Sequence, residues 1–249
     1  MKNSINYDHG FIGTGTPYFI PDEPDAAALY FGNPVAAKIA LSSETKTRKS
    51  RRKHDAGAVL DGITTPNAPE VTLQTDTFQP LNWAMAMMGT SAEQTVTVQT
   101  VADEAGKARL YGYHKLKHGD IDPATLQVKK SGSPIDKSKY VLIAEAGLVQ
   151  ITDPSAAAEG DELTYDYKTK QVKKIVIDGA RVTSFKGTVI IDGENDVTKQ
   201  RCKLIIPNVT LAVEGEFDWY SDDYNSVTMK GTAAVGKNGE APYTVELYE

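Results

Sequence analysis

Cysteine is almost missing from this chain: Cys202 stands alone among 249 residues. A single cysteine forms no internal disulfide, so a disulfide-stapled scaffold is excluded. Histidine is scarce as well, with four residues, which leaves few candidates for metal or nucleophile chemistry. No apolar run approaches the roughly 20 residues that a membrane helix needs. The opening residues, MKNSINYDHG, lack the apolar stretch of a secretion leader, and none is expected. What is present suits a folded protein. The hydrophobic fraction is 40% and the charged fraction 24%, which argues against disorder. A chain of this length buries roughly 70% of its unfolded surface, enough for one large domain or two small ones.

The charge is more informative than its total. Lys and Arg number 27 and Asp and Glu 33, a net of −6. Six of the basic residues, Lys46, Arg48, Lys49, Arg51, Arg52 and Lys53, fall within eight positions. Setting them aside leaves 21 basic against 33 acidic residues, a net of −12. The sequence is thus an acidic body with one basic finger. The run KTRKSRRKHD admits three readings. It is a solvated loop, a nucleic-acid patch acting by counterion release, or an arm that docks on acidic surface of another copy. The acidic body and the lack of interleaved aromatics weigh against nucleic acid. Drawn out as a hairpin, residues 43–58 reach about 26 Å. Exposed ion pairs contribute only about 0–1 kcal/mol each. A network repeated around a symmetric assembly sets register and specificity instead.

Residues 1–27 read as an N-terminal arm, with Gly10, Gly13, Gly15, Pro17, Pro21 and Pro24 and no sustained periodicity. Most of the remainder reads as short strands. Val209, Leu211 and Val213 alternate with polar neighbours, as do Val227, Met229, Gly231, Ala233 and Val235. The Asn238-Gly239 pair predicts a hairpin joining residues 227–235 to residues 243–248. Strands are also expected at 96–101, 107–111, 126–129, 140–144, 148–151 and 163–167. Together they suggest a β-rich insertion, or an elaboration of the core, over residues 96–169. Such spacing indicates a sandwich or barrel.

One helix is expected over residues 77–89, with Asp76 or Thr77 as cap, Pro80 in the first turn and Gly89 at a left-handed exit. Leu81, Ala84, Met85 and Met88 share one stripe, and Trp83 and Met87 lie opposite. Either the helix is enclosed within one domain, or one stripe packs on its own sheet and the other on a neighbouring subunit.

Chemistry is sparsely signalled. His114 and His118 have the spacing of helical zinc ligands, but Lys115 stands where a zinc protease carries glutamate. On a strand the two imidazoles are about 13 Å apart, so surface histidines are expected. Acidic groups recur at Asp192, Glu194 and Asp196, and at Glu214, Glu216, Asp218, Asp222 and Asp223. They lack calcium-loop spacing and read as solvated or lumen-facing acidity. No enzyme, metal or cofactor is expected.

The order of features resembles a known family. Leu29-Tyr30-Phe31-Gly32-Asn33, then a charged hairpin-like stretch, then Thr75-Asp76-Thr77-Phe78 leading into residues 80–89, is similar to the tail tube (major tail) proteins of long-tailed bacteriophages. Gly193-Glu194-Asn195-Asp196, Lys203 to Val209 and Thr228-Met229-Lys230-Gly231 resemble the family's C-terminal strands. The likeness covers residues 28–89 and 172–249. It implies a mainly β tail-tube-type sandwich or barrel with one flanking helix, an N-terminal arm at 1–27 and a long hairpin loop at 43–58. The core is then 28–95 and 170–249. It further implies hexameric rings that stack into a conduit for DNA ejection, with tape measure, tail terminator and distal tail proteins as partners. Localisation in the virion tail, assembly in the host bacterial cytoplasm and no membrane binding follow from the same likeness. It places Lys46, Arg48, Lys49, Arg51, Arg52 and Lys53 between rings, and Leu81, Trp83, Met85, Met87 and Met88 in helix packing or a subunit interface. A related secretion-system tube, or a nucleic-acid-binding β domain acting through residues 46–53, are the alternatives.

Overall fold

The computed structural model describes residues 8–248, so the first seven residues of the expected arm lie outside the described part. The chain starts with β1 (Gly13–Pro21), β2 (Leu29–Tyr30), β3 (Pro34–Ala40), β4 (Ser43–Lys49), β5 (Val59–Pro66), β6 (Glu70–Thr75) and α1 (Pro80–Ala86). It continues through β7 (Thr90–Val96), β8 (Thr100–Lys107), β9 (His114–Lys115), β10 (Gln127–Lys130), β11 (Ser133–Pro134), β12 (Tyr140–Ile143), β13 (Leu148–Ile151), β14 (Glu162–Lys168) and β15 (Val172–Asp178). It closes with β16 (Phe185–Asn195), β17 (Gln200–Val213), β18 (Val227–Ala233) and β19 (Thr244–Leu247). The protein is mainly β, and α1 is the one α-helix among the described residues.

Two compact units result. One takes in residues up to Ser91 and from Ile177 onward; the other is Ala92–Val176. The first unit is built on an eight-stranded antiparallel sheet in the order β2-β1-β16-β17-β18-β6-β3, with β19 on β17. Its strands follow the period-2 rule. In β6, Val71, Leu73 and Thr75 point inward while Glu70, Thr72 and Gln74 do not. In β18, Val227, Met229 and Ala233 are buried. The apolar ones among these form one core with Phe19, Phe31, Val189, Ile206, Val209, Leu211 and Met85 of α1. Each large side chain so buried contributes about 1.5–3 kcal/mol.

Several expectations change here. Residues 13–21 form β1, which pairs along its whole length with β16, from Gly13↔Asn195 to Pro21↔Gly187. The glycines and prolines concealed a strand. Pro17 fits because its carbonyl accepts from Phe31 N–H (3.0 Å) on the sparsely paired side, where no donor is needed. The Asn238-Gly239 turn does form, with Gly239 at φ +83 and Gly236 N–H donating to the Glu240 carbonyl at 2.9 Å. It does not make a hairpin. β18 pairs with residues 209–213 of β17 and β19 with residues 202–205. The two lie end to end along one long strand. A bulge divides that strand: Gly187 faces Val209 but Val189 faces Ile206. The extra residue falls at Pro207-Asn208, where a proline is tolerated.

The helix is shorter than expected and differently capped. Gln79 is the N-cap residue and makes no side-chain cap bond. Asp76 and Thr77 turn elsewhere: Asn33 Nδ2 donates to both Asp76 carboxylate oxygens (2.9 and 3.0 Å), and Asn33 N–H to Thr77 Oγ1 at 2.9 Å. The left-handed exit falls on Met88, φ 49, not on Gly89. Met88 N–H donates to the Met85 carbonyl and Gly89 N–H to the Ala84 carbonyl, the two-bond Schellman closure. Gly89 has a different reason to be glycine. A Cβ there would lie 2.4 Å from the Asp178 carbonyl oxygen.

The second unit, Ala92–Val176, holds a four-stranded sheet, β11-β10-β14-β8, and a three-stranded sheet, β12-β13-β9. Leu163, Tyr165 and Tyr167 alternate inward from β14 and meet Leu116, Ile121, Leu126, Val128, Val149 and Ile151. Strands β7 and β15 pair with each other. The expected strand at 96–101 straddles the gap between β7 and β8, and of the strand expected at 107–111 only Lys107, the end of β8, is in a strand.

Candidate functional site

The basic run lies on a hairpin. Strands β4 and β5 pair only with each other, from Ser43↔Pro66 to Lys49↔Val59. Every residue of both strands is exposed. Lys46, Arg48 and Lys49 sit on β4, and Arg51, Arg52 and Lys53 on the turn beyond it. The turn is closed from inside. Ser50, which is buried, donates its N–H to the Ala58 carbonyl and accepts Gly57 N–H on its own carbonyl, at 2.7 and 2.8 Å.

The hairpin's charge is partly spent within it. Residues 43–66 hold six basic and three acidic residues, a net of +3, so 21 basic and 30 acidic residues remain elsewhere. Arg48 pairs with Asp61 at 2.6 Å, Lys46 with Glu44 at 3.9 Å and Arg52 with Asp55 at 4.0 Å. Lys49, Arg51 and Lys53 pair with no acidic group among the described residues. Exposed apolar side chains accompany them: Val59, Leu60 and Ile63.

A second surface lies on the β17–β18 connection, residues 214–226. Glu214 pairs with Lys230. Glu216, Asp218, Asp222 and Asp223 have no cationic partner among the described residues, and no Lys or Arg occurs between Lys203 and Lys230. By contrast the other acidic group is neutralised locally, Asp192 by Arg201 and Glu194 and Asp196 by Lys199. Aromatic rings are threaded through residues 214–226. Phe217 packs on Trp83 of α1 with centroids 4.9 Å apart, and Trp219 lies 5.9 Å from Trp83. Trp219, Tyr220 and Tyr224 are 71%, 91% and 100% exposed.

This places the helix residues. Met85 is buried in the sheet core, and Leu81 packs partly buried against it. Trp83 is half-buried beneath the chain's own Phe78, Phe217 and Trp219. Met87 and Met88 are half-buried, and Met88 Sδ accepts Val213 N–H at 3.5 Å. Trp83, opposite the core stripe, is therefore partly covered by this chain's own aromatic loop. The exposed rings of that loop were not singled out from sequence. Their signal was present, since Phe217, Trp219, Tyr220 and Tyr224 alternate with the acidic residues already noted.

The two histidines are half-buried, each against a tyrosine of β14. His114 stacks on Tyr165, centroids 5.1 Å apart and planes 10° apart, and His118 meets Tyr167 edge-on at 6.4 Å. Glu104 accepts from Tyr167 Oη at 2.5 Å and from Lys117 N–H at 2.7 Å. Burial holds the His114 imidazole below the ordinary histidine range, while the Glu104 charge acts the other way. Burial also pushes the Tyr165 hydroxyl up to about 12. A depressed folded-state pKa means that His114 gives full stability above about pH 6.5 and loses it as pH falls below that value. The melting-temperature difference between the parent protein and His114→Phe is accordingly expected to be constant above pH 7. Between pH 6.5 and 5 it should shift against the parent, as read by scanning calorimetry. No group of three or more metal-ligating side chains occurs among the described residues. Nor, among those residues, is any helix long and apolar enough to cross a membrane.

A family model described as "Protein of unknown function UCP028589" matches residues 11–239. The chain belongs to this family. The matched span takes in the UCP028589 member's β4–β5 hairpin, its second unit and its aromatic loop. No curated protein matches the chain.

Proposed function

We propose that this protein is a tail tube subunit of a long-tailed bacteriophage, which forms hexameric rings that stack into the conduit for DNA ejection. Its work is assembly and passive conduction, and its partners are further copies of itself and the other tail proteins. The observation that carries this reading is the β4–β5 hairpin, exposed on both faces along every strand residue. An isolated two-stranded hairpin is marginal in water. One that carries unpaired cations and exposed Ile63 and Val59 gains stability when a second molecule covers it. The eight-stranded sheet supports the same reading. Its path ends on β2 and β3, each hydrogen-bonded on one side only among the described strands. Open edges of this kind invite pairing with another chain, and ring closure removes them. In this arrangement the sheet would complete a tail-tube-type barrel across subunits.

Negative-stain microscopy of the purified protein at high concentration tests this directly. Rings or tubes of uniform diameter are expected. A strictly monomeric species at every concentration and salt would overturn the proposal. Tight, salt-sensitive DNA binding by such a monomer would favour a nucleic-acid-binding domain.

A further inference from the structure

The hairpin and the aromatic loop carry opposite charges, and part of each is left without a counterion among the described residues. Lys49, Arg51 and Lys53 find no acidic partner among the described residues, and Asp218, Asp222 and Asp223 find no basic one. Like charges crowded without counterions raise the free energy of the isolated subunit, and an oppositely charged surface relieves it. The rings add specificity to the charge. A guanidinium stacks on the faces of Trp and Tyr, and Trp, Tyr and Arg are the residues in which interface energy concentrates.

From these observations we infer that the tip of the β4–β5 hairpin of one copy seats on the 214–226 loop of a second copy. Arg51 lies over the Trp219–Tyr220 rings, and Lys49 and Lys53 meet Asp218 and the Asp222–Asp223 pair. This rests on the assembly reading above and names the surface that the hairpin engages. The hairpin can project from the body: the seven residues of β4 extend about 23 Å at roughly 3.3 Å per residue. The loop is also well anchored for the purpose. Phe217 and Trp219 clamp it to Trp83 of α1, so load on the loop passes to the sheet core through Met85. The contact couples the basic finger and the outer helix stripe, two features that the sequence presents separately.

Charge exchange tests it. Three variants are compared with the parent by sedimentation velocity and negative-stain microscopy: K49E/R51E/K53E, D218K/D222K/D223K, and all six substitutions combined. Each triple variant is expected to lower assembly by about tenfold or more, because like charges then face each other across the joint. The combined variant is expected to recover assembly. All the altered side chains are exposed, so folding should be kept, and circular dichroism melts check that it is.

A second measurement stands apart from those substitutions. In a Cys202→Ser background, chains carrying Arg51→Cys are mixed with chains carrying Tyr220→Cys and oxidised. A disulfide-linked heterodimer is the expected product. A parent that never assembles would remove the assembly reading and this contact with it. A parent that assembles while both triple variants do so equally well overturns the contact alone. So does a combined variant that stays unassembled, or a mixture that gives no heterodimer. Hairpin substitutions that abolish DNA binding but leave assembly intact would assign the tip to nucleic acid instead.

Discussion

Replacing Gly231 by alanine is expected to lower the thermal midpoint of the protein by about 6–12 °C. Gly231 sits in β18 between two neighbours, Leu211 of β17 and Val71 of β6. Both of those side chains are buried. A Cβ at Gly231 would lie 1.7 Å from the Thr210 carbonyl oxygen and 2.7 Å from its carbon. These are backbone atoms of the adjacent strand, so no rotamer change relieves the contact. β18 must move away from β17, which weakens the ladder at the centre of the sheet and opens the core beneath it. Overpacking against fixed atoms costs about 3 kcal/mol, which for a domain of this size corresponds to the stated shift. Gly10→Ala is the control, because its Cβ meets nothing within 4 Å and should leave the midpoint unchanged. Equal midpoints for the two variants would show that the strands are less tightly apposed than the structure has them. The same movement would disturb residues 214–226, which β17 and β18 hold at either end. If the proposed assembly holds, its loss should therefore accompany the loss of stability.

Sequence periodicity revealed much of the sheet, and the exceptions have physical causes. β6, β14, β18 and the part of β17 beyond its bulge alternate because one face of each is buried, and alternation is what burial on one face selects. β1 escaped because Gly13, Gly15, Pro17 and Pro21 punctuate it, although Phe19 is in the core. At Gly15 a Cβ would lie 2.8 Å from the Asp192 carbonyl, so the glycine that reads as a loop signal is required by close strand approach. The hairpin assigned to Asn238-Gly239 shows a different limit. A turn residue fixes local backbone, but the partner strand is fixed by which edge remains open, and β17 is long enough to offer one to β19. The basic finger was visible as a run. Its division into three paired and three unpaired cations was not, because Glu44, Asp55 and Asp61 become partners only when the hairpin and its turn fold. The same holds for the acidic groups. Asp192, Glu194 and Asp196 resemble Asp218, Asp222 and Asp223 in sequence, yet the first set is neutralised by Lys199 and Arg201 at the β16–β17 turn.

The β2–β3 connection, the segment leading into α1 and the helix itself are joined by a structural latch, and Asn82 is its centre. Its side chain is fully buried, and its Nδ2 donates to the Phe31 carbonyl at 2.9 Å and to the Thr77 carbonyl at 2.6 Å. Thus α1 is tied both to the β2–β3 connection and to the segment that leads into the helix. Gly32, φ +98, is required there, since a Cβ would lie 2.5 Å from Thr77 Cβ. Asn33 completes the latch through Asp76 and Thr77. Asn82→Asp keeps the shape and exchanges the donor for an acceptor, so that a carboxylate would face two carbonyl oxygens without a cation. An uncompensated buried charge of this kind costs about 3–5 kcal/mol. The carboxyl escapes part of that cost by holding its proton, which raises its folded-state pKa above the unfolded value of about 3.9. A raised carboxyl pKa penalises the fold as pH rises above the unfolded value and leaves it unpenalised below. The variant should therefore lie far below the parent in urea midpoint at pH 7.5, and the gap should narrow as pH approaches 4. There the protonated carboxyl can donate one of the two lost hydrogen bonds. A gap that does not change between pH 7.5 and 4 would mean that residue 82 is solvated, and the latch would then hold through Asn33 alone.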